Sequence, residues 1–412
     1  MSSQMLQGYR ALDLTDREPQ LCGRILADLG ADVIRIEKPG GDSSRSIGPF
    51  YGDVIHPEKS LWWFVLNANK RGITLNLESQ DGCELFKTLV KDADFVIESY
   101  PPDYMAKLGL DYSVLAEINP RIIVTSITPF GQTGPYKDFK SSELVLMALG
   151  VFMYGTGDPD RPPVKPNYPL AGITSAITAA SATMIAHYHA TMSGKGQYID
   201  VSAQAGPPWF TGPVGPWWQM EKRHLGRSGP YNLRRPDLKV RFFWPCKDGH
   251  VIFQFYGGVN GKRNNKAIAH WMAEEGMGDE YVNSIDWDSL DILQASQEMV
   301  TRLEKPVGPF FLSKTKQELV GEATRRGILL GYMDNLKDQF QNPQLASGFW
   351  KEIEHPELHR SLTYPGFYIR SSLAECGIRH CAPLIGEHNY EIYSEIGVTK
   401  DQLLLLNQAG VI

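Results

Sequence analysis

Along the first two hundred positions, apolar and polar residues alternate in blocks of two kinds. Short apolar runs bounded by Gly, Pro or Asp predict buried strands: "YRALDLT", "ADVIRIEKP", "GITLNL", "DFVIESY" and "RIIVTSITPF". Between them, apolar residues recur at helical spacing in "QLCGRILADLG" (ended by Gly30), "DGCELFKTLVKDA", and "MAKLGL" with "YSVLAEIN". This β-α-β-α rhythm predicts a doubly wound parallel sheet. A helix-rich stretch at 141–191, closed by "SGKGQ", and a further strand, "YIDVSAQ", complete the first region.

The pattern breaks at 206–218, "GPPWFTGPVGPWW", with four prolines, three glycines, three tryptophans and a phenylalanine. Pro and Gly predict an extended, non-regular arm, and the aromatics predict that it packs against another domain or subunit. Next, "VRFFWPCKDGHVIFQFYGG" reads as a hairpin turned at Lys247, Asp248 and Gly249, starting a smaller domain. The end of the chain returns to strand and loop and finishes in the helix "KDQLLLLNQAG". The resulting division is 1–205, an arm at 206–239, a small domain at 240–331, and a return through 332–412.

With 412 residues, two domains are the default. A net charge of -6 without a long basic run excludes a broad nucleic-acid surface but not a local basic pocket. Five scattered cysteines without a C-x-x-C spacing suit reduced thiols. The N-terminal residues lack the pattern of a signal peptide, and no apolar run is expected to span a bilayer, so a soluble, cytoplasmic protein is expected.

The candidate chemistry lies at strand ends, where open α/β sheets bind ligands. "IEKPGGDSSRS" offers Lys38 and Arg45 beside Gly40 and Gly41, "NANKRG" offers Lys70 and Arg71, and "ITPFGQTGPYKDFKSSE" offers Lys137, Lys140 and Glu143. Each loop alone also reads as ordinary surface charge. Three basic loops at one sheet edge predict a ligand with several phosphates. His187 and His189 are spaced i,i+2 and point to different helix faces; with no H-E-x-x-H and no G-x-S-x-G, neither a metal nor a hydrolase nucleophile is expected.

The pieces "LDLTD…CGRILADLGADVIRIEKPGGDSSR", "NKRGITLNL", "ADFVIES", "LGLDY", "NPRIIVTSITPFGQTGPY", "SGKGQYIDVS", "KDGHVIF" and "APLIGEHNYEIYSEIG" together resemble the class III CoA-transferases, the formyl-CoA and carnitine CoA-transferase group, in that family's order and over nearly the whole chain. The resemblance implies a Rossmann-like large domain built from both chain ends, a smaller inserted α+β domain, and two subunits interlocked like chain links. It implies coenzyme A or acyl-CoA as substrate, with no permanently bound cofactor. Lys38, Lys70 and Lys140 match CoA-contacting positions, while Ser99, Tyr100 and Lys107 stand where the family usually has Asn, Phe and Arg.

The family's nucleophilic aspartate starts the helix after a "PPV" loop. In "PPVKPNYPLAGITSAITAA", Gly172 stands at that position, and Ile173, Thr174 and Ser175 offer no carboxylate. Glu143 matches an active-site glutamate of the family; Asp158 and Asp160 are the other nearby acids in sequence. Three readings remain open. This chain is the aspartate-less subunit of a heteromeric transferase whose paralogous partner supplies the acid. It is a homodimeric acyl-CoA enzyme with isomerase, hydratase or lyase chemistry, using Glu143 as acid or base. Or it is a CoA-binding scaffold. In a homomer, Gly172→Asp is expected to create transferase activity.

Overall fold

The computed structural model describes residues 4–412 except 211, 213, 223, 225 and 236. Contacts divide the chain into two compact units: Met1–Phe152, Lys165–Gln219 and Ser347–Ile412 form one, and Met153–Val164 with Met220–Ala346 the other.

The first unit is built on β1 (Arg10–Leu14), β2 (Asp32–Glu37), β3 (Arg71–Thr74), β4 (Phe95–Glu98), β5 (Ile123–Thr128) and β6 (Gln197–Ser202). They pair in parallel in the order β3-β2-β1-β4-β5-β6, the Rossmann-like order expected of the strand–helix alternation. Successive side chains on a strand point to opposite faces, so each strand feeds two cores. Leu12, Ile34 and Val96 join one cluster with residues of α3 (Gln80–Val90), α5 (Tyr112–Ile118) and the C-terminal helices Asn389–Glu395 and Lys400–Gln408. Ala11, Val33, Phe95 and Ile97 join the other, with residues of α1 (Gln20–Asp28) and α7 (Leu170–Ser193). Tyr393 donates to the Thr74 carbonyl at 2.7 Å, and Asn389 accepts from the Thr74 amide at 2.9 Å, so the helix Asn389–Glu395 closes onto the β3 edge.

The 24-residue α7 is long and apolar enough, by composition alone, to cross a membrane, contrary to the expectation that no such run exists. Its apolarity comes from Ala, Ile and Met diluted by Ser and Thr. Ala176, Ala179 and Ala180 are buried in the core of the first unit. Gly194, with φ +74°, stops the helix in the left-handed conformation.

The aromatic arm is not extended. It forms α8 (Gly206–Phe210) and α9 (Val214–Glu221); Thr211 and Pro213 lie outside the described residues. Pro207, Pro208 and Pro216 fall in the first turns, where the missing N–H and the fixed φ suit a helix. In the second unit β9 (Phe243–Cys246) and β10 (Gly249–Phe253) form the expected hairpin, with β11 (Leu330–Met333) on its other side. Trp244, Phe253, Trp271 and Phe310 anchor its core.

Candidate active site

Strand order reverses between β1 and β4, and two cavities open at the carboxyl ends of these strands, where the two halves of such a sheet diverge. One, of about 400 Å³, is lined by Asp16, Arg35, Lys38, Asp42, Tyr100 and Tyr104 among others. The second, of about 420 Å³, is lined by Asp16, Glu18, Thr128, Glu143, Gly172 and Ser175 among others, with no histidine in its wall. Asp16 borders both. Arg35 Nε, Asp16 Oδ1 and Thr128 Oγ1, on residues that line these cavities, are buried and have no hydrogen-bond partner among the described residues.

The basic loops divide sharply. Lys38 is exposed on the wall of the first cavity, and the Tyr100 ring stacks on Tyr104 at 4.5 Å beside it. Ser99 accepts from the Asp16 amide at 2.8 Å, tying the β4 end to the loop after β1. Lys107 and Lys140 are exposed and line neither cavity. Arg45 and Lys70, expected to reach phosphates, are buried and already satisfied. Arg45 donates to Glu37 at 2.7 and 2.8 Å, to Glu58 and to the Pro383 carbonyl, and lies 3.8 Å over the Trp63 ring. Lys70 Nζ donates to Asp13 at 2.7 Å, the Gln20 carbonyl at 2.8 Å and Asn67 at 2.9 Å, using all three of its protons. A cation removed from water must be paired, and both are paired by carboxylates that their own sheet supplies. They tie the strand-end loops together from within the core.

In the second cavity the start of α7 has no side-chain cap of its own. Glu143, the first residue of α6 (Glu143–Leu149), caps it instead: one oxygen accepts from the Ala171 amide at 2.9 Å and the other from the Gly172 amide at 3.2 Å. Orphan amides at a helix N-terminus favour such an anion. With both oxygens so engaged, Glu143 fits an anchored anion better than the mobile acid–base group the sequence suggested.

A side chain at residue 172 would have no room. A Cβ placed on Gly172 would lie 2.6 Å from Glu18 Cβ, 2.9 Å from its Cγ and 3.3 Å from its Cδ. Glu18 is thus the acid that sequence neighbourhood missed. The available signal was only an acid in the loop "DLTDREP" that follows β1. Asp158 belongs to the second unit, where the Arg227 Nε donates to its carbonyl at 3.1 Å, and Asp160 lies in the same unit. Among the described residues one cluster, His355, Glu357 and Cys381, has metal-like proximity, but Glu357 at 2.7 Å and the Tyr364 hydroxyl at 2.8 Å already engage both His355 nitrogens.

Glu98, at the end of β4, is almost wholly buried, and burial pushes its carboxyl up to about 7 against hydrogen bonds from Ser126 and the Tyr100 amide. Its folded form therefore keeps a proton that the unfolded chain sheds at about pH 4.3. Stability falls as pH rises from there through about 7. Glu98→Gln, which preserves the acceptor for Tyr100, removes this loss. Its advantage over the parent in urea unfolding is expected to grow by about 2 kcal/mol between pH 5 and pH 8; an equal advantage at both pH values would refute the assignment.

The sequence profile of CoA-transferase family III matches residues 6–389. The chain is 43% identical to the succinate–glutarate CoA-transferase of Agrobacterium fabrum over 95% of each protein. It is 31% identical to a subunit of the succinyl-CoA:(R)-benzylsuccinate CoA-transferase of Thauera aromatica, over 98% of this chain and 97% of that one. The crystal structure of a CAIB/BAIF family protein from Brucella suis superposes with a TM-score of 0.81 at 26% identity, covering 96% of this chain and all of the other.

Proposed function

The chain belongs to CoA-transferase family III, and from that premise we propose that it exchanges coenzyme A between succinyl-CoA and a second carboxylic acid, a dicarboxylate such as glutarate or an aromatic one such as benzylsuccinate. The observation that carries this reading is the pair of cavities meeting at Asp16 across the sheet's switch point. The nucleotide end of CoA would lie along Lys38, Tyr100 and Tyr104, and its thioester would reach the cavity walled by Glu18, Glu143 and Gly172. Lys38 would meet phosphate as a point charge, and the tyrosine pair would offer a stacking surface. In this reading the chain holds CoA only as a substrate and works in the cytoplasm.

Gly172 leaves the aspartate position without an acid, and there are two ways to complete the site. In one, an interlocked partner of similar sequence carries the aspartate, as a heteromer. The similarity to a transferase subunit favours it, as does the amount of apolar surface a second chain would cover. Ile185, Tyr188 and Met192 on α7 are 71%, 70% and 76% exposed, and Trp209 on α8 is 87% exposed. In the other, favoured by the position of Glu18, the chain supplies its own carboxylate. Native mass spectrometry of the chain purified with its genomic neighbours, paired with an exchange assay on succinyl-CoA and glutarate, tests both. A complex with a second, similar-sized chain that is needed for turnover supports the heteromer. A homo-oligomer that turns over alone supports the second arrangement. No exchange of CoA with any carboxylic acid by either preparation would overturn the transferase reading.

A further inference from the structure

Glu18 follows β1 in a loop that the rest of the site holds down. The Asp16 amide is fixed on Ser99 at 2.8 Å, Ser43 donates to Asp16 at 2.7 Å, and Pro19 leads directly into α1. The loop delivers the Glu18 side chain into the volume that a residue at position 172 would otherwise fill, with its Cδ 3.3 Å from where that residue's Cβ would begin. Around it stand Glu143, Ser175 and Thr128, on the wall of the same cavity. The two glutamates are held differently. Glu143 spends both oxygens on the amides of α7, whereas among the described residues the Glu18 carboxylate accepts a hydrogen bond from its own backbone amide and from no other residue. One carboxylate anchors a helix start, and the other is held only by its own loop.

We infer that Glu18, reaching the helix start from the opposite loop, is the carboxylate that takes up the acyl group in this chain. The inference rests on the reading of the chain as a CoA-transferase. A Glu18 oxygen attacks the thioester carbonyl of the donor; the C–S bond breaks, and CoA thiolate leaves a mixed anhydride. The thiolate then attacks the glutamyl carbonyl, the anhydride C–O bond breaks, and the donor acid departs, leaving a glutamyl-CoA thioester. The acceptor carboxylate attacks that thioester to form a second anhydride and free thiolate. Thiolate attack on the acceptor carbonyl releases the new acyl-CoA and regenerates Glu18. No redox partner is needed, and charge and atoms balance at each step. Burial and the nearby Glu143 carboxylate push the Glu18 carboxyl above its ordinary range, which makes the ionised group a stronger nucleophile.

The test uses the full-length protein in whatever complex it forms. It is incubated with succinyl-CoA and quenched with hydroxylamine, which converts an enzyme-bound anhydride or thioester to a hydroxamate, and its peptides are mapped by mass spectrometry. A hydroxamate at Glu18 that depends on succinyl-CoA is expected. Glu18→Gln is expected to lose the label and about 1000-fold in exchange rate, with affinity for CoA within threefold of the parent. Glu18→Asp, which keeps a shorter carboxylate, is expected to retain the label at position 18 and a part of the rate. A hydroxamate at Glu143 or on a co-purifying chain overturns the inference while leaving CoA transfer intact. So does Glu18→Gln turning over within tenfold of the parent, or turnover by the parent without any label. A parent protein that neither binds CoA nor exchanges it overturns both the transferase reading and this inference.

Discussion

Gly172→Asp is expected to lower CoA exchange rather than create it, by on the order of 100-fold, because the position the aspartate would enter is already filled. The nearest obstacle is not the flexible end of a side chain: the new Cβ would meet Glu18 at its own Cβ, 2.6 Å away, so the loop backbone has to move. Overpacking of this kind costs about 1–3 kcal/mol. Displacing the loop also disturbs the Asp16–Ser99 hydrogen bond that closes the site between β1 and β4. Removing the obstacle reverses the expectation. In Glu18→Gly/Gly172→Asp the carboxylate arrives from the helix instead of the loop, and exchange is expected to recover to within about tenfold of the parent. The measurement is kcat/KM for succinyl-CoA in the parent, both single variants and the double variant, with thermal midpoints recorded for each. A Gly172→Asp single variant as active as the parent would mean that Glu18 neither blocks the position nor performs its role.

The fold was largely legible in the sequence because the strands are short, apolar and bounded by turn residues, and all six stand where their patterns predicted. Pro and Gly in the aromatic arm predict an extended segment, whereas Pro207, Pro208 and Pro216 stand in the first turns of α8 and α9, where proline suits a helix. The site was legible by position and much less so by chemistry. Lys38 lines a cavity at the sheet's switch point. Arg45 and Lys70 look no different from it in a list of basic residues at strand ends, and only the fold reveals that Glu37, Glu58 and Asp13 have already claimed them. Glu18 was hidden for a similar reason. Its relation to Gly172 is a contact across the switch point, and scanning neighbouring residues for a replacement acid cannot reach it. A search for compensating pairs would look for an acid gained in one strand-end loop where another has lost one.

Asp13→Asn is expected to destabilise the first unit by about 3–5 kcal/mol, the cost of leaving a buried cation without its partner. Asp13 and the Lys70 side chain are fully buried, and burial, which opposes ionisation, is outweighed by Lys70 and Arg35, which hold the Asp13 carboxyl below its ordinary range. The amide cannot substitute in either orientation. The Thr15 amide and hydroxyl donate to one carboxylate oxygen at 3.0 and 2.6 Å, and Lys70 donates to the other at 2.7 Å, so an NH₂ group at either place faces donors. Gly23 leaves the room this carboxylate occupies, since a Cβ there would come within 2.2 Å of it. Lys70→Met in the Asp13→Asn background removes the stranded cation and is expected to restore part of the loss; the coupling between the two changes, read from urea unfolding at pH 7, measures the pair. Because the carboxyl is depressed in the folded state, its contribution is present at neutral pH and disappears as pH falls through its lowered value, so parent and Asp13→Asn should converge in acid. The same network sets the loop from Thr15 to Pro19, which carries both Asp16 and Glu18, so an Asp13→Asn protein still folded at low temperature is expected to lose exchange activity as well as stability. Unchanged unfolding at pH 7 would mean that the buried Asp13–Lys70 pair is replaceable and does not hold these strand ends together.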